Sequence, residues 1–123
     1  MGMDDDDIPI DIRVVASTQV STTALVPTGR MLEELFHELA IGIIDVPPLR
    51  DRGADVELMV DFLLGEINAE LGQKNTITPA AVRSLKSHTW PGNVGELNAV
   101  LRRAAVWADS EIDASHVSSA ILP

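Results

Sequence analysis

The stretch Thr89-Trp90-Pro91-Gly92-Asn93-Val94-Gly95-Glu96-Leu97 decides how the rest of the chain is read. Pro91 and Gly92 break whatever precedes them, and Asn93 is a good N-cap for a helix running to about Ala108. Glu96, three residues on, can reach back to the free N–H of that cap. Val94, Leu97, Leu101, Ala104 and Ala105 then recur at helical spacing and form one apolar stripe. Trp90 stands just outside the helix start, where a large ring can fix the angle at which the chain approaches its neighbours.

Working forward from this helix, Ile112 and Val117 form a hydrophobic staple around a last short helix that starts at Asp113. Working backward, Thr78 caps a helix with Pro79 at its first position, and Ile77 and Val82 make a second staple. The two stretches Ile77–Val82 and Ile112–Val117 use one capping solution twice. Before them, Asp55 is read as the cap of a helix whose stripe is Val56, Met59, Val60, Leu63, Leu64, Ile67 and Leu71, with Gly72 at C′. Residues 53–121 therefore read as a four-helix unit.

The N-terminal part reads differently. Ile8 to Gln19 is β-prone through Ile10, Ile12, Val14, Val15 and Ala16, and is expected to be a buried strand. Its end, Ser17-Thr18-Gln19, is where ligands sit in open α/β sheets, although ordinary turn chemistry explains the same residues. Val20 to Arg30 is a polar loop. Met31 to Leu39 is a short helix with Leu32, Leu35, Phe36 and Leu39 on one side and Glu33, Glu34 and Glu38 on the other. Ile41 to Val46 is a short apolar strand stopped by Pro47-Pro48, and Leu49 to Gly53 is a charged connector. Two short strands cannot bury both faces of a sheet, so the chain is expected to begin inside a domain and to self-associate through uncovered strands.

The 123 residues carry 9 basic and 19 acidic side chains, a formal charge of −10. Without the run Asp4 to Asp7, read as a solvated tail over residues 1–9, the balance is still 9 − 15 = −6. That excludes direct nucleic-acid binding by a basic face. There is no cysteine, no signal peptide and no apolar run near the roughly 20 residues of a membrane span, so a cytoplasmic setting is expected. Walker A, nucleophile-elbow and zinc-protease patterns are all missing. Glu33 and His37 could share a metal at i, i+4, but an ordinary surface pair explains them, and no metal or catalytic site is assigned.

Several stretches, taken in order, resemble the second half of the AAA+ ATPase domain of sigma-54-dependent transcriptional activators, the bacterial enhancer-binding proteins. Asp11 to Gln19 is similar to that family's sensor I strand. Gly29 to Leu39 sits where the family has G-R-F-R-E-D-L-Y-Y-R-L. Val46 to Arg52 resembles L-P-P-L-R-E-R, and Trp90 to Leu97 resembles W-P-G-N-V-R-E-L. The resemblance implies a mostly α chain with a small β part: the end of an AAA+ α/β core over residues 10–52, followed by a four-helix lid over residues 53–123.

The family match places Thr18, Gln19, Arg50, Asn93 and Val94 near nucleotide. It also exposes departures. The two arginine fingers fall on Leu32 and Glu38, the sensor II arginine falls on Gly95, and the sensor I asparagine is Gln19. An arginine finger is worth about 10³–10⁵ in rate. Gly95, in the first turn of a helix, costs about 0.5–1 kcal/mol relative to alanine, so the fold does not ask for it. The expectation is that this piece has no cofactor and no hydrolytic activity of its own. In a full-length parent, ATP and magnesium, oligomerisation and an RNA polymerase sigma factor are the implied ligands and partners. Two alternatives stand beside this: a helical protein-interaction module using the Leu32, Leu35, Phe36, Leu39 face with no nucleotide role, and half of an active ATPase that takes its arginines from elsewhere.

Overall fold

The computed structural model describes residues 7–122, so Asp4 to Asp6 of the acidic run lie outside the described residues. The chain forms two compact units that divide between Asp45 and Val46.

In the first unit, residues 8–18 have no regular hydrogen bonding and are exposed. The expected strand at Ile8–Gln19 is therefore corrected, and so is the strand at Ile41–Val46, which is also irregular and exposed. The physical reason is common to both. A strand exists through its neighbours' N–H and C=O groups, and among the described residues neither segment has one. Ser21 to Arg30 winds through successive turns. The N–H groups of Arg30 and Met31 both donate to the Leu25 carbonyl, at 3.0 and 3.1 Å, and the Leu25 side chain is buried. Helix α1, Glu33–Leu39, follows with no side-chain cap and no buried residue.

The second unit carries the core. A 3₁₀ turn, Leu49–Asp51, leads into α2, Gly53–Leu71. Then come β1, Thr76–Ile77; α3, Pro79–Ser87; α4, Asn93–Trp107; β2, Glu111–Ile112; and α5, Ala114–Ala120. Val56, Val60, Leu64 and Ile67 of α2 are buried, with Met59 and Leu63 packed at the margin. They meet Ala81 and Leu85 of α3, Leu97, Val100, Leu101, Ala104 and Ala105 of α4, and Val117 and Ala120 of α5. Leu49 is wholly buried in the same core, so the 3₁₀ turn belongs to the helical unit.

Three of the expected helix boundaries are seen. Gly72 ends α2 in the left-handed region, φ +65°, with its N–H on the Asn68 carbonyl, a role glycine fills without a Cβ clash. Thr78 accepts from the Ala81 N–H through its hydroxyl, with Pro79 next. Asp113 accepts from the His116 N–H, while His116 Nδ1 accepts from the Asp113 N–H at 3.0 Å, a capping box closed by histidine. One boundary is corrected. Asp55 is not the cap of α2; Arg52 is, three residues earlier, and Asp55 lies in the first turn where its charge suits the helix dipole.

The small β part lies in the second unit. β1 and β2 pair in parallel, Thr76 with Glu111 and Ile77 with Ile112. The ladder is extended by Thr76 N–H to the Ser110 carbonyl, 2.9 Å, and Thr78 N–H to the Ile112 carbonyl, 3.0 Å. Consequently the two similar capping stretches lie side by side, and the starts of α3 and α5 are set by one short ladder.

Candidate functional site

The turn between α3 and α4 is built around Trp90. Its backbone is left-handed, φ +53°, which is costly for a bulky residue. The conformation is held because the ring is buried, with its indole N–H donating to the Leu85 carbonyl at 2.7 Å near the end of α3. His88 stands edge-on to that ring, centroids 4.5 Å apart. His88 Nε2 is 2.8 Å from Glu96 Oε2, and Glu96 Oε1 accepts from the Gly92 N–H at 2.8 Å. Burial pushes the Glu96 carboxyl up, but the Gly92 N–H, His88 and Arg103 together outweigh it and hold it below the ordinary glutamate range. Both carboxylate oxygens are thus taken up in clamping the turn. The His88–Glu96 pair is scaffold, although its chemistry would suit proton transfer.

Asn93 requires a correction. It is the first residue of α4, and Gly92 is the cap, so Glu96 reaches back one residue earlier than expected. The Asn93 side chain turns away from its own helix: Oδ1 accepts from the Leu49 N–H at 2.8 Å, across 44 residues. Its backbone is also left-handed, φ +52°, a region asparagine tolerates better than most residues. This bond brings Arg50, next to Leu49 and exposed, to the corner where Asn93, half-buried Val94 and exposed Gly95 begin α4. No local signal in the sequence pointed to Leu49 as the partner of Asn93.

The remaining predicted positions lie in the first unit. Thr18 accepts from the Val20 N–H at 3.0 Å in a short local turn, and both Thr18 and Gln19 are exposed. Leu32 immediately precedes α1 and is 77% exposed; Glu38 is exposed on the same helix. On α4, a Cβ built on Gly95 would meet nothing within 4 Å, so the missing side chain is not excluded by crowding.

Each of these three positions is described by its own surroundings. They offer an apolar chain, a carboxylate and bare backbone, and none supplies positive charge. Both arginines of α4 are engaged within the second unit: Arg102 pairs with Glu70 at 2.7 Å, and Arg103 Nε donates to the Ala120 carbonyl at 2.9 Å. Arg52 Nε is enclosed without a hydrogen-bond partner. Among the described residues no cluster of three metal-ligating side chains occurs, and Glu33 and His37 form an exposed pair at 3.6 Å. No described helix is long and apolar enough to cross a membrane.

The family model described as the AAA+ ATPase lid domain matches residues 50–123. The Nif-specific regulatory protein of Azotobacter vinelandii is 39% identical over 102 residues, covering 83% of this chain and 20% of the relative. The anaerobic nitric oxide reductase transcription regulator NorR of Aliivibrio fischeri is 38% identical over 113 residues, covering 91% of this chain and 22% of the relative. The chain therefore spans about a fifth of the length of the curated relatives it matches. Crystal structures of NtrX from Brucella abortus, in complex with ADP and with ATP, superpose with a TM-score of 0.78 at 29% identity, over 89% of this chain and 26% of theirs.

Proposed function

The chain belongs to the AAA+ ATPase lid domain family, and on that premise we propose that it is the lid-bearing portion of an AAA+ domain in a bacterial sigma-54-type transcriptional regulator, one that does not hydrolyse ATP by itself. Its contribution is nucleotide-linked oligomerisation and regulation of the parent, in the cytoplasm, with a sigma factor of RNA polymerase reached through the parent. The reading is supported by the named relatives, which are transcription regulators, and by the solved neighbours that hold ADP or ATP.

The observation that carries the catalytic part is the chemistry at Leu32, Glu38 and Gly95. Phosphoryl transfer develops charge that guanidinium groups offset, typically by about 10³–10⁵ in rate, and none of these positions supplies one. The reading is supported by the open space around Gly95, where a side chain would meet nothing within 4 Å. Separately, exposed Ile10, Ile12, Ile41 and Ile44 make loose self-association the expected behaviour of the chain alone.

The test is steady-state phosphate release from the protein that contains this chain, at several concentrations. Background rates are expected, and turnover at the level of active relatives would refute the proposal. A second reading, a helical interaction module with no nucleotide role, draws on the exposure of Leu32 and Leu35 on α1. Calorimetric titration with ATP and ADP separates the two, since only the first expects the parent to bind nucleotide.

A further inference from the structure

Helix α2 is apolar on two opposite faces. One face is the core stripe described above. The other is formed by Ala54, Leu58, Phe62, Gly65 and Ala69, which recur at helical spacing on the side away from Val60 and Leu64 and are all exposed. Leu58 is 68% and Phe62 65% exposed. A helix with an apolar outer face requires something to cover it.

Charge decides what that is. Along its 19 residues α2 has five carboxylates and no lysine or arginine. Glu57 and Glu70 lean toward the body of the lid, paired with Lys86 of α3 and Arg102 of α4. Asp61 borders the outer stripe on one flank, and Asp55 and Glu66 border it on the other. A second copy is disfavoured by symmetry. In a two-fold antiparallel pairing each flank meets its own copy, so Asp61 would face Asp61, and Asp55 would lie close to Glu66. Asp61 shares its flank with Arg83 and Lys86 of α3, whereas Asp55 and Glu66 leave the other flank acidic, so the apolar strip is complementary, on that flank above all, to an amphipathic helix whose apolar face is edged by lysine or arginine.

We propose that the outer face of α2 is a docking surface for a basic amphipathic helical segment, with Leu58 and Phe62 as its apolar anchors and the small residues Gly65 and Ala69 as the hollow that admits a bulky side chain. The surface is distinct from the α3–α4 turn and independent of nucleotide chemistry. The pattern is also economical in sequence: positions that a one-sided helix would fill with lysine or glutamate are apolar at every turn.

The test uses the whole chain and a defined probe, a fluorescein-labelled 18-residue peptide of leucine and lysine patterned as an amphipathic helix. Anisotropy titration is expected to show saturable binding that weakens with added salt. Leu58→Ser and Phe62→Ser, both at exposed positions, are each expected to weaken binding about tenfold or more while far-UV circular dichroism stays unchanged. Asp61→Asn with Glu66→Gln should reduce affinity and flatten the salt dependence. The matching leucine–glutamate peptide should fail to bind. The proposal is overturned if the serine variants bind the lysine peptide as the parent does, or if the glutamate peptide binds equally. It is also overturned if sedimentation shows a dimer that Phe62→Ser dissolves, which would assign the face to a second copy.

Discussion

Replacing Asn93 by alanine isolates the bond that ties the start of α4 to the chain's approach to the lid. Two effects add. First, the Leu49 N–H loses its acceptor in a part of the unit where the Leu49 side chain is wholly buried, and an unsatisfied donor of that kind costs about 1–3 kcal/mol. Second, alanine must adopt φ +52°, where asparagine is tolerated and alanine is not, at about 1 kcal/mol more. The expected loss is about 2–4 kcal/mol, which at a typical urea slope of about 2 kcal/mol/M lowers the midpoint by about 1–2 M. Asn93→Gly removes the conformational part and keeps the hydrogen-bond part, so it should fall between parent and alanine. Asn93→Asp keeps an acceptor oxygen and places a negative charge at a helix N-terminus, worth about 0.3–1 kcal/mol, so it should lie close to the parent. Urea unfolding followed by far-UV circular dichroism gives the ranking. If alanine falls within about 0.5 kcal/mol of asparagine, a range ordinary for inert surface positions, the bond is not holding the corner. If glycine is as poor as alanine, the backbone part of the reasoning is wrong.

Further outcomes follow from the same turn. A Cβ on Gly92 would sit 2.7 Å from the Glu96 Cβ, so Gly92→Ala should destabilise by about 1–3 kcal/mol. Gly95→Ala, in open space one turn along, should stabilise by about 0.5–1 kcal/mol; opposite shifts in thermal midpoint check the pair. The Glu96 carboxyl is held below its ordinary value of 4.5, so the stability it contributes is present above that pH and is lost as pH falls through the folded-state value. Unfolding free energies measured from pH 7 down to acid should therefore fall less steeply in Glu96→Gln than in the parent. Trp90→Phe keeps an aromatic ring but removes the indole donor from the Leu85 carbonyl, leaving it the His88 N–H at 3.4 Å, and should cost about 0.5–1.5 kcal/mol in chemical denaturation, with the far-UV spectrum retained.

Much of the lid was legible because its signals are local. Thr78-Pro79, Asp113 and Gly72 act within four residues of themselves, and the stripes on α2 and α4 need only a helical period. What escaped reading is non-local. The Asn93 side chain chose Leu49 over its own helix, a competition that capping rules do not contain. β1 and β2 are two residues each, too short to carry an alternation, and parallel pairing leaves no turn signature between them. Residues 8–18 show the converse failure: Ile10, Ile12 and Val14 have strand chemistry, yet pairing is a property of the neighbour. Leu32, Glu38 and Gly95 acquire meaning only through resemblance, since nothing in their own spacing sets them apart. Arg50 and Asn93, far apart in sequence, share a corner only once the Leu49 bond is seen.

The two-residue parallel ladder has a consequence for how the lid comes apart. Thr76 and Glu111 are 35 residues apart, so the ladder closes a long loop that contains α3 and α4 and gains its hydrogen bonds only after both have docked. Backbone amides at Thr76 and Thr78 should then exchange with solvent in the same cooperative step as those of α5, as a single late-closing seam. Cutting the chain near Ser110 would free more than a tail, because the start of α3 would lose the strand beside it.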